Sequence, residues 1–480
     1  MIFLSLCEGG GTFLDKCIEF KTKLSNNYIY DNVTGHIFFK VRNKIDIEKY
    51  RAVKKFIKAS EKLNKVTVSD VKKYLIDNAN GFKQLILEVT SKCNLRCKYC
   101  TYSENYDFTR NHGINSMSLD VAKKAVDYYF ENFKIVVDRN PQRVPVISFY
   151  GGEPLLNFKL IKKIVEYIKI TYPEYINKVK WHITTNGVLL NDSIQKFLYE
   201  NKFHVLVSID GYKENHDRNR LFINGKPTFD IVYNNYHNFK NNYPGQAVFV
   251  SACYDYKTDM KKFSEFADEY DINILRAAAV SESAKYYKQF SANNKQNFIN
   301  NFNIVKNEFF QKSINDEIKK DSFIYNFFGD IYGSFAYHRM VAEELPSIRP
   351  HTSTCVPGEK IYVESTGDFI VCEKVNNQKK IGNVFSGLNY KIISKMLSEY
   401  NDTMNNHCEK CKISRLCSLC FKDFCLEKGF KYDEKICNRQ INFIKQLLIE
   451  YTELLEQNPK LFEEITTDYY TRLNRMGDMA

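Results

Sequence analysis

Residues 84–100 read Gln84-Leu85-Ile86-Leu87-Glu88-Val89-Thr90-Ser91-Lys92-Cys93-Asn94-Leu95-Arg96-Cys97-Lys98-Tyr99-Cys100. The run up to Thr90 has the apolar, β-branched character of a buried strand, and three cysteines in a CxxxCxxC spacing follow it on a loop. The same rhythm continues: strands are expected at 84–90, 144–150, 179–185, 203–209, 246–253 and 272–276, with helices near 118–133, 157–171, 190–200, 228–240 and 258–269. Strand and helix alternating in this way predict parallel βαβ units, and six of them predict an α/β fold with a partial (β/α)6 barrel of TIM type. Sites in such barrels gather at the C-terminal strand ends, so chemistry is expected in the loops after residues 90, 150, 185 and 209.

Bulk properties narrow the classes. The chain has 480 residues, 44% apolar and 26% charged, which predicts two or three domains and little disorder. No run is apolar long enough to span a bilayer and the opening residues lack an export signal, so a cytoplasmic compartment and no membrane partner are expected. The net charge of +12 comes from lysines scattered among acidic neighbours, as at Lys72-Lys73 and Lys123-Lys124. That pattern reads as a solvated surface rather than a nucleic-acid footprint.

Fourteen cysteines in a reducing compartment argue for metal rather than disulfides, and eleven of them fall within 93–100 and 355–437. Cys7, Cys17 and Cys253 stand alone as buried or surface thiols. The three thiolates of Cys93, Cys97 and Cys100 suit a four-iron cube and leave one iron open to an exogenous ligand. Zinc is the alternative, and the loop supplies no nearby fourth ligand for it.

This loop resembles the signature of the radical S-adenosylmethionine (SAM) superfamily, which follows the first strand of a partial barrel. The resemblance implies that SAM chelates the open iron and that Tyr99 lies by its adenine. Tyr150-Gly151-Gly152-Glu153-Pro154 looks like the family's GGEP motif, whose glycines let backbone approach the ligand. Thr184-Thr185-Asn186-Gly187 and Ser208-Ile209-Asp210-Gly211 end the next two strands and offer polar groups to the same mouth. The stretch from Ser208 to Arg218 resembles the branch that includes anaerobic sulfatase-maturing enzymes. There a serine at the position of Ser208 and a downstream arginine, here Arg218 or Arg220, approach SAM's ribose or carboxylate. Taken singly, Asp210-Gly211 is also an ordinary turn and His216 a surface residue.

The C-terminal cysteines are Cys355, Cys372, Cys408, Cys411, Cys417, Cys420, Cys425 and Cys437. Eight thiolates are the number that two fully ligated four-iron clusters need, and paired zinc knuckles are the alternative. The layout resembles the SPASM domain, which implies two auxiliary clusters and three 4Fe-4S clusters in all. By that resemblance Cys408, Cys411, Cys417 and Cys437 share one cluster, while Cys355, Cys372 and an intervening cysteine serve the other. Cys420 comes one residue early and Cys425 is additional, so either both close the first auxiliary cluster or one is free and an iron stays open.

The expected organisation is a small α/β unit at 1–82, the barrel at 83–280, a helical aromatic-rich insert at 281–350 acting as a lid, the cysteine-rich domain at 351–440 and a C-terminal helix and tail at 441–480. Asn27 to Gly35 looks like the leading strands of a domain that binds a leader peptide as an added strand, with a plain barrel cap as the bland reading. The resemblance implies a peptide maturase, fed by flavodoxin or ferredoxin, that makes a 5′-deoxyadenosyl radical from SAM and installs a crosslink in a precursor peptide, a thioether first. Formylglycine formation on sulfatases is the alternative of the same class. A non-catalytic iron-sulfur carrier or sensor, and a nucleic-acid modifier, are the alternatives of other classes.

Overall fold

The computed structural model describes residues 16–39, 62–106, 112–280, 285–338, 345–375 and 379–476. Cys7, residues 40–61 of the expected small α/β unit and the end of the tail lie outside them.

Three strands open the chain: β1 (Cys17–Lys21), β2 (Asn27–Asp31) and β3 (Ile37–Phe39), an antiparallel sheet in the order β1-β2-β3. A turn joins β2 to β3, where Asp31 Oδ1 accepts from Val33 N at 3.1 Å and Oδ2 from Thr34 Oγ1 at 2.9 Å. Gly35 closes it at φ +75°, a conformation that costs glycine nothing.

The barrel strands are β4 (Gln84–Thr90), β5 (Val146–Gly151), β6 (Lys180–Thr185), β7 (Phe203–Ser208), β8 (Val248–Tyr254) and β9 (Ile274–Ala279), each parallel to the next. Alternation along the strands divides two faces. Phe149, Trp181 and Phe203 stack at 5.8–6.4 Å, and Phe203 packs on Phe197 of the covering helix Asp192–Glu200. Ser148, His182 and His204, in register across β5, β6 and β7, take the other face. Helices Leu119–Arg139, Phe158–Thr171, Asp192–Glu200, Phe229–Asn242 and Met260–Glu269 connect the strands as the periodicity predicts. Ser118, Asn191 and Asp259 start three of them by accepting from the first free backbone N–H groups.

The parallel sheet does not end at β4. A second set, β10 (Lys360–Val363), β11 (Asp368–Ile370), β12 (Lys380–Asn383) and β13 (Gly387–Leu388), continues it to ten strands in the order β13-β12-β11-β10-β4-β5-β6-β7-β8-β9. β10 runs parallel to β4 and covers backbone groups that would otherwise form an open edge. These strands are short and their turns carry no strong hairpin pair, so the sequence pattern did not reveal them.

Helices Ala292–Ile314 and Phe323–His338 carry the aromatic segment. The last apolar-periodic stretch forms two helices, Glu434–Gln457 and Pro459–Met476, rather than one. The first starts at the Asp433 cap and so takes Cys437 into its opening turn, and Pro459 starts the second. Glu450 joins the first of these helices, Glu434–Gln457, to the aromatic segment, accepting from Lys306 Nζ at 2.6 Å and Tyr332 OH at 3.0 Å.

Candidate active site

The cysteine loop leaves β4 and lies along residues 219–221: Arg96 N donates to Leu221 O at 2.8 Å and Lys98 N to Asn219 O at 3.0 Å. Leu95, 1% exposed, pins the loop to the core. Each cysteine sulfur meets nitrogen. Leu95 N and Asn186 Nδ2 reach Cys93 Sγ at 3.4 and 3.8 Å, Arg220 Nη1 reaches Cys97 Sγ at 3.9 Å, and Tyr102 N reaches Cys100 Sγ at 3.4 Å. Donors aimed at sulfur suit thiolates that carry charge, as cluster ligands do. Burial pushes the Cys93 thiol up to about 11 and the Cys97 thiol higher still, with Leu95 N–H opposing the first and the Arg220 charge the second. Iron binding would release these protons. Among the described residues no group of three or more His, Cys, Asp or Glu closes on one point as a single ion would need. A cube spreads its thiolates over separate irons, and the donor set described fits that group.

Gly151 and Gly152 are required by the cysteine loop itself. A Cβ on Gly151 would lie 2.1 Å from Thr90 O, and one on Gly152 would lie 2.2 Å from Lys92 O. The close approach allows Gly152 N to donate to Thr90 O at 2.9 Å and Glu153 N to Lys92 O at 2.8 Å. Glu153 is fully buried, and its carboxylate accepts from Leu155 N at 3.0 Å, Thr185 Oγ1 at 2.7 Å and Asn186 N at 2.7 Å. Burial nevertheless pushes it up to about 7 against those three bonds. Glu153 thus ties the end of β5 to the end of β6, and Asn186 passes the tie on to Asn94 Oδ1 at 2.8 Å. Pro154 opens a 3-10 turn, Pro154–Asn157.

Asp210, 0% exposed, is the hub of the next strand end. Its Oδ1 accepts from Cys253 N at 2.9 Å, and its Oδ2 accepts from Arg220 Nε at 3.0 Å and from the Tyr99 hydroxyl. Arg220 Cζ stands 5.5 Å over the Tyr99 ring. The two candidate arginines separate here: Arg220 faces the cysteine loop, whereas Arg218 makes a two-pronged pair with Asp255 at 2.7 and 2.8 Å. Ser208 is half-buried at the end of β7 beside Ser251 of β8.

His216 is interior rather than on the surface. Its Nδ1 accepts from Asp210 N at 3.3 Å, which leaves Nε2 to donate to Thr228 Oγ1 at 3.1 Å, and Thr228 donates to Arg220 O at 2.7 Å. Burial lowers the ring to about 3, so it stays neutral.

The sequence reading passed over two neighbours of this hub. Cys253, at the end of β8, packs with Tyr99, Val280 and Tyr286, and burial pushes its thiol up to about 11, with the Asp210 charge adding to the rise. Tyr286 meets Tyr99 edge-on at 6.1 Å and donates to Asn219 Oδ1 at 2.7 Å. Extending the strand-end rule to the end of β8 would have found the cysteine.

On the opposite flank Tyr102 and Tyr362 hydroxyls lie 3.3 Å apart and Tyr362 donates to buried Glu88 at 3.1 Å, joining the cysteine loop to β10. Farther along, burial raises Cys355 to about 12, with Glu359 and then Cys420 adding to it, and burial raises Cys372 as well, with Glu373 and then Cys355 and Cys420 adding to it. Cys408, Cys411, Cys417 and Cys437 form a second electrostatic group. Cys425 donates to Leu426 O at 3.4 Å. Lys62 lies near Cys408 in the company of Arg349 and Arg415, and burial followed by those two charges lowers it to about 8. A cation beside Cys408 suits a cluster of negative net charge.

The Radical SAM superfamily model matches residues 87–268, so this stretch of the chain carries a radical SAM domain. A cysteine-type anaerobic sulfatase-maturating enzyme of Clostridium novyi is 34% identical over 159 residues, 32% of this chain and 39% of that protein. A serine-type anaerobic sulfatase-maturating enzyme of Bacteroides thetaiotaomicron is 28% identical over 318 residues, 63% of this chain and 72% of that one. This chain therefore spans less than half the length of the first relative. Among solved structures, histidine-tagged anSMEcpe with bound AdoMet has a TM-score of 0.59 at 21% identity, covering 80% of this chain and 97% of that one, a likeness of fold. No helix among the described residues is long and apolar enough to cross a membrane.

Proposed function

We propose that this radical SAM enzyme is a peptide maturase that installs a crosslink, first of all a thioether from a substrate cysteine. Cys93, Cys97 and Cys100 would hold a 4Fe-4S cluster, and when bound it supplies the electron that splits SAM into methionine and the 5′-deoxyadenosyl radical that takes hydrogen from the peptide. The observation that carries the reading is the set of N–H donors aimed at all three sulfurs at a barrel mouth. Tyr99 and Arg220 line that mouth, with Asp210 holding both. Tyr286 and the ring cluster of Tyr287 and Phe290 stand beside it and would keep water out.

The eight C-terminal cysteines would hold two auxiliary clusters, one of them on Cys408, Cys411, Cys417 and Cys437, and these would take up the second electron as the substrate thiol loses its proton and its sulfur bonds the carbon that gave up hydrogen. Either flavodoxin or ferredoxin would deliver the electron, in a reducing, cytoplasmic setting. The lysines support a solvated surface rather than a nucleic-acid face, since Lys124, Lys196, Lys261 and Lys395 pair with acids one helical turn away.

A peptide partner would meet the N-terminal sheet of β1, β2 and β3 as an added strand. Formylglycine formation is the second reading, favoured by the identity to the two sulfatase-maturating enzymes. Reconstituted enzyme with SAM, reductant and a cysteine-bearing peptide separates them. Loss of two hydrogens with a new side-chain bond supports the maturase, an aldehyde that reacts with a hydrazide supports the second, and no 5′-deoxyadenosine under strict anaerobiosis defeats both.

A further inference from the structure

We propose that Arg220 is a fixed cation held against the Cys97 sulfur and that Asp210 moderates it, so that this ion pair sets the reduction potential of the cluster on Cys93, Cys97 and Cys100. Arg220 Nη1 lies 3.9 Å from Cys97 Sγ while its Nε is bonded to Asp210 Oδ2 at 3.0 Å. The two side chains are 10% and 0% exposed, so water screens neither charge well. Guanidinium does not lose its proton in proteins, which makes the charge constant with pH.

The geometry has an order. Arg220 touches the sulfur, and Asp210 touches Arg220 from behind, together with Tyr99 and the Cys253 N–H. A cation next to a cluster ligand favours the state with one more electron, and a carboxylate behind it subtracts from that effect. Two other charges at the loop, Arg96 and Glu153, act on Cys93 rather than on Cys97: Arg96 Nη1 donates to the carbonyls of Cys93 and Leu95, and Glu153 accepts from Leu155, Thr185 and Asn186. His216 and Thr228 hold the pair by its backbone, at Asp210 N and Arg220 O. An arginine needed only for SAM's carboxylate would not require contact with a cysteine sulfur.

The proposal rests on a cluster at these three cysteines, and the same experiment tests that assignment separately. Full-length reconstituted protein is titrated potentiometrically without SAM, following the EPR signal that Cys97→Ala lacks. If wild type has no such signal, the cluster assignment fails. If it has one, Arg220→Gln is expected to move the midpoint negative and lower the reduced fraction at fixed poise about tenfold, or about 59 mV for one electron. Arg220→Lys keeps a cation and is expected to stay nearer wild type, while Asp210→Asn is expected to move the midpoint positive.

A residue that only shapes the loop would shift both charge-removing variants the same way. Shifts of one sign in Arg220→Gln and Asp210→Asn, or none in either, overturn the proposal. Should Arg220→Gln bind no iron, Asp210→Asn carries the test, and a null or negative shift there overturns it. Loss of the cluster in both assigns the pair a structural role and also overturns it.

Discussion

Asn32 and Arg415, 383 residues apart in sequence, hold each other by side chain and backbone: Arg415 N donates to Asn32 Oδ1 at 3.0 Å and Arg415 Nε to Asn32 O at 3.2 Å. Asn32 Nδ2 in turn donates to Cys411 O at 3.1 Å and Ser414 Oγ at 2.8 Å. On the sheet's other side Glu456, from the helix that carries Cys437, accepts from Asn26 Nδ2 at 2.6 Å and Tyr28 OH at 2.8 Å. The N-terminal sheet is thereby clamped to both segments of the second cysteine group.

Asn32→Ala should therefore act at a distance. It leaves buried groups of Arg415 and the Cys411 loop without partners, at about 1–3 kcal/mol for each unsatisfied group. We expect a lower Tm and less iron per chain, with the SAM-responsive signal of the Cys93 loop retained. Equal loss of both kinds of iron would show that the clamp is not local.

Gly152→Ala should produce the opposite split. The new Cβ would sit 2.2 Å from Lys92 O and 2.6 Å from Lys92 C, so the cysteine loop must move. Overpacking of this kind costs about 1–3 kcal/mol. Iron at Cys93, Cys97 and Cys100 should fall while the C-terminal iron remains, measured by iron analysis and by EPR with and without SAM.

His182 predicts an acid limit to stability. Burial, then the neighbouring His204, lowers it from 6.5 to about 3, and neither of its ring nitrogens has a hydrogen-bond partner. The unfolded chain therefore binds more protons there between pH 6.5 and pH 3, and stability falls as pH falls through that window. The pKa separation corresponds to about 5 kcal/mol over the whole range. His182→Phe should flatten the acid limb of a Tm–pH curve, and an unchanged slope would assign the limb to other groups.

His216→Phe should loosen the Asp210–Arg220 pair from behind. It leaves the Asp210 N–H buried without its acceptor, at about 1–3 kcal/mol, and frees Thr228 from the ring. Chemical denaturation should show the loss, and the Tyr99 environment should change in near-UV circular dichroism. A variant as stable as wild type would mean that water replaces the imidazole.

Much of this architecture was legible because period and punctuation agreed. The strand run into Thr90, and the apolar runs that end at Gly151, Thr185 and Ser208, each sit just before residues that reach the mouth. The reason for Gly151 and Gly152 was not legible, because the atoms they avoid belong to Thr90 and Lys92, brought close only by the sheet. Nor could spacing distinguish Arg218 from Arg220: two residues apart, they are separated by which carboxylate each finds, Asp255 or Asp210. Strands β10 to β13 were hidden because β10 gains its stability from the edge of β4, a long-range contact that short apolar runs do not announce. Cys253 looked solitary in sequence and stands beside Asp210 in space.

The most direct measurement is EPR of the anaerobically reconstituted, reduced protein, frozen with and without SAM, beside Cys97→Ala, with 5′-deoxyadenosine quantified in parallel. A cluster signal that SAM alters, that the variant lacks, and that accompanies release of 5′-deoxyadenosine is the predicted result. Zinc bound at the loop, or a cube whose signal is indifferent to SAM, would contradict the account.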